Sequence, residues 1–383
     1  MSRKFKKNVK DLFRDKTFQK VLIVFIISKI IILSAAFTAG FLPDSQHRRM
    51  RSDNAYLNGW AQYDAGGYLD LAENGYNPNF NNGIGNYSLY PFYPLLIKLF
   101  WFVGYPLAAF LIANVASFLA VTALYLLVKA ELGKKASYRT IFYVLLFPTA
   151  YFFTAMYTET LFLLLAVSMF LLAKKEQWLY VGALGFCISL TRIQGVLMFF
   201  PMAYIYLRTK KFSLRKIDYR ALYLLLIPLG IALFFLYEYN LTGDLFIQFK
   251  EFSAFNKEVT YPWVTLYDTI VSIMNGSLYY FINFTALLTL VAILLLSFKY
   301  LKREYSLYLF FSIFFIVLSS NLNGIGRYII VMFPVFMTIS AVAERHKKMG
   351  WLLYVVYAVC ILLLILFTMR HVNEGIYLTI QTF

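Results

Sequence analysis

The chain has 383 residues, of which 61% are hydrophobic, 20% are aromatic and only 14% are charged. So low a charged fraction excludes an ordinary soluble domain, where about 25% of residues are charged, and several apolar runs approach or exceed the ~18 residues that mark a transmembrane helix. The formal net charge of +17 does not indicate nucleic-acid binding, because the basic residues cluster in short segments between apolar runs. We therefore expect a single integral-membrane domain covering residues 1–383.

The N-terminal part combines a basic segment, residues 1–20, with the apolar run 21–42. This run is too long for the h-region of a signal peptide and lacks a small-residue cleavage site, so it predicts a retained first span with a cytoplasmic N-terminus. Lys29 lies near its middle, where a lysine is costly unless it is paired or faces a cavity. Two interpretations of Lys29 stay open: a neighbouring carboxylate or carbonyl partner, or a contact to a lipid phosphate.

Residues 43–105 form the first predicted outer loop and contain the longest polar passage of the chain. Apolar and aromatic residues recur there at roughly helical spacing from Ala65 to Tyr76, which predicts a short amphipathic helix that ends at Gly75. Asp64 would lie at the start of this helix, either as a functional carboxylate or only as its N-cap. The short apolar segment 92–103 is predicted to be interfacial or re-entrant.

The remaining apolar runs alternate between the two sides of the membrane and enclose a second long outer loop, residues 241–277. In this arrangement 26 of the 36 Lys and Arg residues fall on inner segments and nine on outer segments, which supports an inside N-terminus in a multi-pass protein of the plasma membrane. About eleven spans are predicted, at residues 21–42, 106–128, 140–155, 158–173, 178–190, 193–207, 221–240, 278–298, 306–320, 325–343 and 350–369.

Unusual polar residues collect at the outer ends of these spans. Ionisable residues within a helix bundle are usually functional, although Glu159 can simply begin a helix, Arg327 can be a structural anchor, and Tyr90 and Tyr93 can belong to an aromatic belt. The sequence has no HExxH-type pair and only two cysteines, so it indicates no metal site, while a divalent metal is not excluded. The candidates are Asp64, Tyr68, Tyr90, Tyr93, Glu159, Arg192, Gln194, Arg327 and Tyr328.

The order of these motifs resembles a known family over about Trp60 to Pro334. The motifs are DAxxYxxxAxxGY, YPFYP, FPTAYFFxxxYTExLF, LTRxxG, TGD and GRYxxxxFP. In this order they resemble the bacterial relatives of the PIG-V type mannosyltransferases, members of the GT-C superfamily of integral-membrane glycosyltransferases. The chain departs from the family pattern at Gln62-Tyr63, where relatives often have Arg-Trp, and at Ile193 and Gly326, where they often have proline.

The resemblance implies an all-α GT-C bundle with a large first outer loop, a polyprenyl phosphate sugar as donor, and Asp64 as catalytic base. We accordingly expect an inverting glycosyltransferase that moves a mannose-like hexose to an acceptor hydroxyl of a glycan or lipid at the outer face, with no cofactor required and no nucleic-acid partner. Partial burial would raise the pKa of Asp64 and make it a better base. A transporter or flippase for lipid or sugar is the alternative from another class, because intramembrane charges and many spans suit it too.

Arginine binds phosphate oxygens through two parallel N–H groups. We therefore expect the outer arginines to bind the phosphate of the lipid-linked sugar. Glu159 could hold an arginine in place or bind sugar hydroxyls. The predicted phosphate contacts are Arg192, Arg327 and Lys29, and the predicted substrate contacts are Glu159, Tyr68, Tyr90, Tyr93, Gln194 and Tyr328.

Overall fold

The computed structural model describes residues 10–42, 52, 54–80, 84–254, 257–346 and 350–373. Within these ranges the regular structure is helical, and an isolated antiparallel bridge joins Val259 and Ser319. The predicted all-α class is confirmed. The first nine residues of the predicted basic tail, and residues 43–51, 53 and 81–83 of the first predicted outer loop, lie outside the described residues.

The helices follow the apolar runs of the sequence closely. The α-helices are α1 (Lys16–Ala39), α2 (Ala55–Trp60), α3 (Asp64–Asn74), α4 (Phe92–Leu99), α5 (Tyr105–Leu145), α6 (Glu159–Ala173), α7 (Trp178–Ser189), α8 (Phe199–Thr209), α9 (Leu226–Thr242), α10 (Ile247–Ala254), α11 (Pro262–Met274), α12 (Leu278–Tyr300), α13 (Arg303–Val317), α14 (Ile325–Ile329), α15 (Phe333–Arg345) and α16 (Gly350–Val372). Short 3-10 helices cover Trp101–Val103, Ala150–Phe153, Ile193–Met198, Leu214–Lys216 and Tyr219–Leu225.

Five helical stretches of the described chain are long and apolar enough to cross a membrane. They are Lys16–Ala39, Tyr105–Leu145, Tyr219–Thr242, Leu278–Tyr300 and Val355–Val372, and Glu159–Ala173 and Trp178–Ser189 are shorter apolar helices. Helix α5 is kinked at Gly133, whose φ of 86° is a left-handed backbone conformation that glycine adopts readily. The kink lies between the predicted spans 106–128 and 140–155. The predicted span 325–343 is also interrupted, because α14 ends at Ile329 before α15 begins at Phe333.

A cluster of ion pairs joins several helix ends on one side of the bundle. Glu131 pairs with Lys174 and, at 3.0 Å, with Lys302. Arg208 pairs with the buried Glu304 at 2.6 Å. Lys174 directly follows α6, whereas Glu159 opens it, so the fifteen residues of α6 separate this basic cluster from Glu159 by about 22 Å.

The two predicted outer loops contain short helices. Helix α4 has eight residues, so it is about 12 Å long and too short to span a bilayer, as predicted for segment 92–103. In the second loop, the backbone N–H of Thr260 donates to the Leu318 carbonyl at 2.8 Å and that of Ser320 donates to Glu258 at 2.8 Å. These bonds fix the second loop to the segment that leads into α14.

Candidate functional site

A cavity of about 610 Å³ opens between the two loops and the ends of the bundle helices. Its wall is assembled from four separate parts of the chain: the start of α3 with the 85–90 segment, the Thr191–Gln194 segment, the second loop, and α14. Both charged and aromatic side chains face it. The lining includes Gln62, Asp64, Tyr68, Phe80, Ser88, Leu89, Tyr90, Arg192, Gln194, Phe252, Lys257, Arg327 and Tyr328.

Asp64 is the first residue of α3 and faces the cavity with its side chain 46% exposed. The N-cap position belongs to Tyr63, so the interpretation of Asp64 as an N-cap is wrong. Tyr63 has φ 54° and ψ −127°, a backbone conformation that is costly for a residue with a side chain. Strain of this kind persists only where the surroundings fix it, and here it lies directly before Asp64.

Arg327 connects Asp64 to the interior of the bundle. Its Nη1 donates to Asp64 Oδ2 at 2.5 Å, and its Nε donates to Glu159 Oε1. The guanidinium also lies over the ring of Tyr157, 4.6 Å from the centroid, where a cation–π contact is favourable. Arg327 is therefore held by two carboxylates and an aromatic face, while it still lines the cavity.

Glu159 is fully buried and serves both arginines of the site. The Nη1 of Arg192 donates to Glu159 Oε1 at 2.6 Å and to Thr158 Oγ1 at 3.2 Å. Glu159 itself is absent from the cavity wall, so the structure supports its predicted role as the group that holds arginine rather than a direct contact to sugar hydroxyls. The result is a continuous row of alternating charges, Asp64, Arg327, Glu159 and Arg192.

The charge row lowers the pKa of Asp64. Burial by itself raises the pKa of this carboxyl, but the adjacent Arg327 guanidinium, with smaller contributions from Lys257 and Arg192, outweighs burial and keeps the pKa below its usual range. The predicted upward shift of the Asp64 pKa is therefore wrong. Asp64 is ionised at neutral pH, as a proton acceptor must be.

Most of the other predicted substrate contacts lie in the cavity wall. Tyr68, Tyr90, Gln194 and Tyr328 all line it. The Tyr328 ring lies beneath the Arg192 guanidinium, with 5.7 Å between guanidinium carbon and ring centroid. Tyr93 is different: it is fully buried, donates its hydroxyl proton to the Ala109 carbonyl at 2.9 Å, and is not part of the wall.

Lys29 also lies away from the cavity. Its ammonium donates to the Phe153 carbonyl at 2.6 Å, to Asn114 Oδ1 at 2.8 Å and to Thr154 Oγ1 at 2.9 Å. An ammonium group has three donors, and all three are used within the bundle. The structure thus favours the interpretation with carbonyl and side-chain oxygen partners and contradicts the predicted phosphate contact.

The second loop supplies residues that were not singled out from the sequence. The Tyr90 hydroxyl donates a hydrogen bond to Gln248 Oε1 at 2.6 Å. The Gln248 amide nitrogen donates in turn to Oε2 of the buried Glu238 at 2.7 Å. Glu251 Oε2 accepts the backbone N–H of Ser88 at 2.8 Å. Lys257 lines the cavity. Lys257 is thus part of the wall, whereas Gln248 and Glu251 contact the wall residues Tyr90 and Ser88 from behind. No local sequence pattern distinguishes these residues from other polar residues of the loop, because the fold alone brings them next to the cavity.

Across the described ranges, no group of three or more His, Cys, Asp or Glu side chains is close enough together to hold a metal ion. Asp64, which lines the cavity, and the buried Glu159 both pair with Arg327. Any metal at this site would have to compete with that arginine.

Comparisons with known proteins give a fold likeness only at low identity. No protein-family model matches the chain, and no curated protein matches it in sequence. Among solved structures it is similar to the oligosaccharyltransferase of Archaeoglobus fulgidus in complex with Zn and sulfate, with a TM-score of 0.44 and 15% identity over 91% of this chain and 53% of that chain. It is also similar to the archaeal oligosaccharyltransferase AglB from Archaeoglobus fulgidus in complex with an inhibitory peptide and a dolichol-phosphate, with a TM-score of 0.44, 14% identity and coverage of 95% and 56%. The chain spans about half the length of these proteins.

Proposed function

We propose that this chain is a membrane-embedded glycosyltransferase of the GT-C type that uses a polyprenyl phosphate sugar as donor. The observation that carries the proposal is that Asp64, Arg327 and Arg192 line one cavity and are joined into one row of charges by the buried Glu159 behind its wall. A half-exposed carboxylate and two arginines thereby reach the same ligand. The order of motifs that resembles PIG-V type mannosyltransferases supports this proposal independently.

Asp64 is the general base of the proposed reaction. An acceptor hydroxyl is a poor nucleophile, and a carboxylate within hydrogen-bond reach takes its proton as the new bond to the anomeric carbon forms, which typically accelerates transfer by ~10²–10⁴. One base and a direct displacement invert the anomeric centre. The acceptor is a hydroxyl of a glycan or lipid, and the sugar is a mannose-like hexose.

The arginines receive the leaving phosphate. As the bond between the anomeric carbon and the phosphate oxygen breaks, negative charge grows on the phosphate, and fixed cations stabilise that charge without reorganisation. Glu159 holds both guanidinium groups in place, which fixes their donors in space. The negative charge of a phosphate bound beside Arg327 also favours the protonated form of Asp64, so donor binding makes Asp64 a stronger base.

Transfer of labelled sugar from a lipid-linked donor tests this proposal in detergent. We expect Asp64→Asn to lower the transfer rate by ~10²–10⁴, the usual contribution of a general base, without loss of folded protein. Glu73→Gln is the matched control, because Glu73 lies on the same helix and points to solvent. Transfer by the Asp64→Asn variant at the unmodified rate would refute the proposal, and movement of intact donor lipid across vesicles would favour a flippase.

A further inference from the structure

The cavity holds a third cation whose charge is not balanced by an acidic group. Arg192 and Arg327 both pair with carboxylates, whereas Lys257 has no ion pair among the described residues. Its ammonium donates one long hydrogen bond, 3.4 Å, to the Asn323 carbonyl. An ammonium has three N–H donors. After the bond to Asn323, further donors of Lys257 are available to a ligand in the cavity that this residue lines.

The backbone around Lys257 fixes its position. Its N–H donates to the Phe252 carbonyl at 2.9 Å, at the end of α10. The next three residues run antiparallel to Leu318–Ser320, with Thr260 bonded to Leu318 and Ser320 bonded to Glu258. Lys257 is thus placed on the same side of the cavity as α14, close enough to Asp64 to lower the pKa of that carboxyl.

We propose that Lys257 is an anion-binding residue of this cavity and that its ligand is the phosphate of the lipid-linked donor. This inference rests on the proposed function for the identity of the ligand. A lysine ammonium is a compact charge with rotatable donors, suited to a phosphate whose position changes as it leaves. The two arginines, fixed by Glu159, supply the rigid part of the same site.

Charge balance through the reaction supports the assignment. Counted over Lys257 and the row of Asp64, Arg327, Glu159 and Arg192, three cations accompany two carboxylates, so these five groups carry a net charge of +1. The donor phosphodiester carries about −1, and the departing lipid phosphate, which keeps the electron pair of the broken bond, carries about −2. Because the acceptor proton moves to Asp64 as its oxygen bonds to the anomeric carbon, the protein charge rises by one as the phosphate charge falls by one.

These groups and the phosphate are consequently neutral together before and after transfer only when Lys257 is counted. Without Lys257, the sum of the charges of Asp64, Glu159, the two arginines and the phosphate would be about −1, both before and after transfer. Excess charge in a partly buried cavity is expensive because the local dielectric is low. The lysine should therefore contribute chiefly to phosphate affinity rather than to binding of the lipid tail.

Binding of geranylgeranyl phosphate to the purified full chain in detergent tests the inference, with geranylgeraniol and inorganic phosphate as separate arms. We expect Lys257→Gln to weaken geranylgeranyl phosphate binding roughly tenfold, the usual effect of one lost charge-assisted contact, and to leave geranylgeraniol binding unchanged. Lys257→Arg should retain most of the affinity. Lys250→Gln is the control, because Lys250 belongs to the same loop but pairs with Asp244 at an exposed site.

Each result decides the inference. Equal affinity of the Lys257→Gln variant and the unmodified chain, equal losses in the Lys257→Gln and Lys250→Gln variants, or no saturable binding of geranylgeranyl phosphate would overturn it. Tight binding of inorganic phosphate that depends on Lys257 would retain the anion site but assign it to a free anion. If binding depends on Lys257 while no variant transfers sugar, the proposed function fails and the anion site stands.

Discussion

At the scale of single residues, Glu159 holds the site together. It is fully buried, and one of its oxygens accepts from both Arg192 and Arg327. Removing one partner of a buried ion pair typically costs ~3–5 kcal/mol, because the charge that remains is uncompensated. We expect Glu159→Gln to lower the thermal unfolding temperature in detergent and to reduce transfer to background.

The matched control for this variant is Glu304→Gln. Glu304 is as buried as Glu159 and pairs with Arg208 at 2.6 Å, but it belongs to the basic cluster at the other end of the bundle. We expect it to lower stability while transfer per folded molecule persists. Equal transfer by the Glu159→Gln and unmodified proteins would show that the arginines do not need their shared carboxylate.

The residue chemistry of the site could be predicted only in part from the sequence. Asp64, Arg192 and Arg327 stand out because ionisable residues next to apolar runs are rare, and the structure brings them together. Lys29 satisfies the same criterion but has its partners inside the bundle. Sequence position does not distinguish the two cases, because the difference depends on which carbonyl and hydroxyl oxygens the folded helices place nearby.

At the scale of elements, α10 connects the two outer loops across the cavity. Glu251 of α10 accepts from Ser88 in the first loop, and a Cβ at Gly85 would lie 2.1 Å from Glu251 Oε1 and 2.8 Å from the Tyr87 ring. Gly85→Ala must therefore displace the 85–90 segment that lines the cavity. We expect KM for the lipid-linked donor or the acceptor to rise severalfold, with a smaller change in kcat, in steady-state transfer assays.

A second substitution distinguishes this steric effect from general unfolding. Glu251→Ala removes the group that the new methyl would meet, so the Gly85→Ala, Glu251→Ala double variant should recover part of the lost affinity relative to Gly85→Ala alone. If both KM values of the Gly85→Ala variant stay at those of the unmodified chain, the 85–90 segment does not shape the substrate site.

Helix positions were predictable, whereas helix interruptions were not. Each predicted apolar run contains helical structure, because burial of the backbone in lipid demands internal hydrogen bonds. The 3-10 segment Ile193–Met198 replaces the start of a predicted span, and there a Cβ on Gly195 would lie 2.2 Å from the Ile188 carbonyl oxygen. Such close backbone contacts arise from tertiary packing and carry no periodic signal in the sequence.

At the scale of the whole molecule, two polar centres lie at opposite ends of α6. Glu159 at its start belongs to the cavity, and Lys174 just after its end belongs to the basic cluster with Glu131 and Lys302. Basic clusters remain on the cytoplasmic side during membrane insertion. The cavity should then open on the outer side, where a donor that keeps its lipid tail in the bilayer can present its sugar.

Cysteine labelling in intact cells checks this orientation. After replacement of Cys187 and Cys360, single cysteines are introduced at Ser253, exposed on α10 beside the cavity, and at Lys135, exposed in the basic segment that follows Gly133. A membrane-impermeant maleimide should label Ser253→Cys in intact cells and Lys135→Cys only after permeabilisation, because the reagent cannot cross the bilayer. The reverse pattern would show that the cavity opens on the cytoplasmic side and would rule out transfer at the outer face. The charge row and its proposed chemistry would be unaffected by that result.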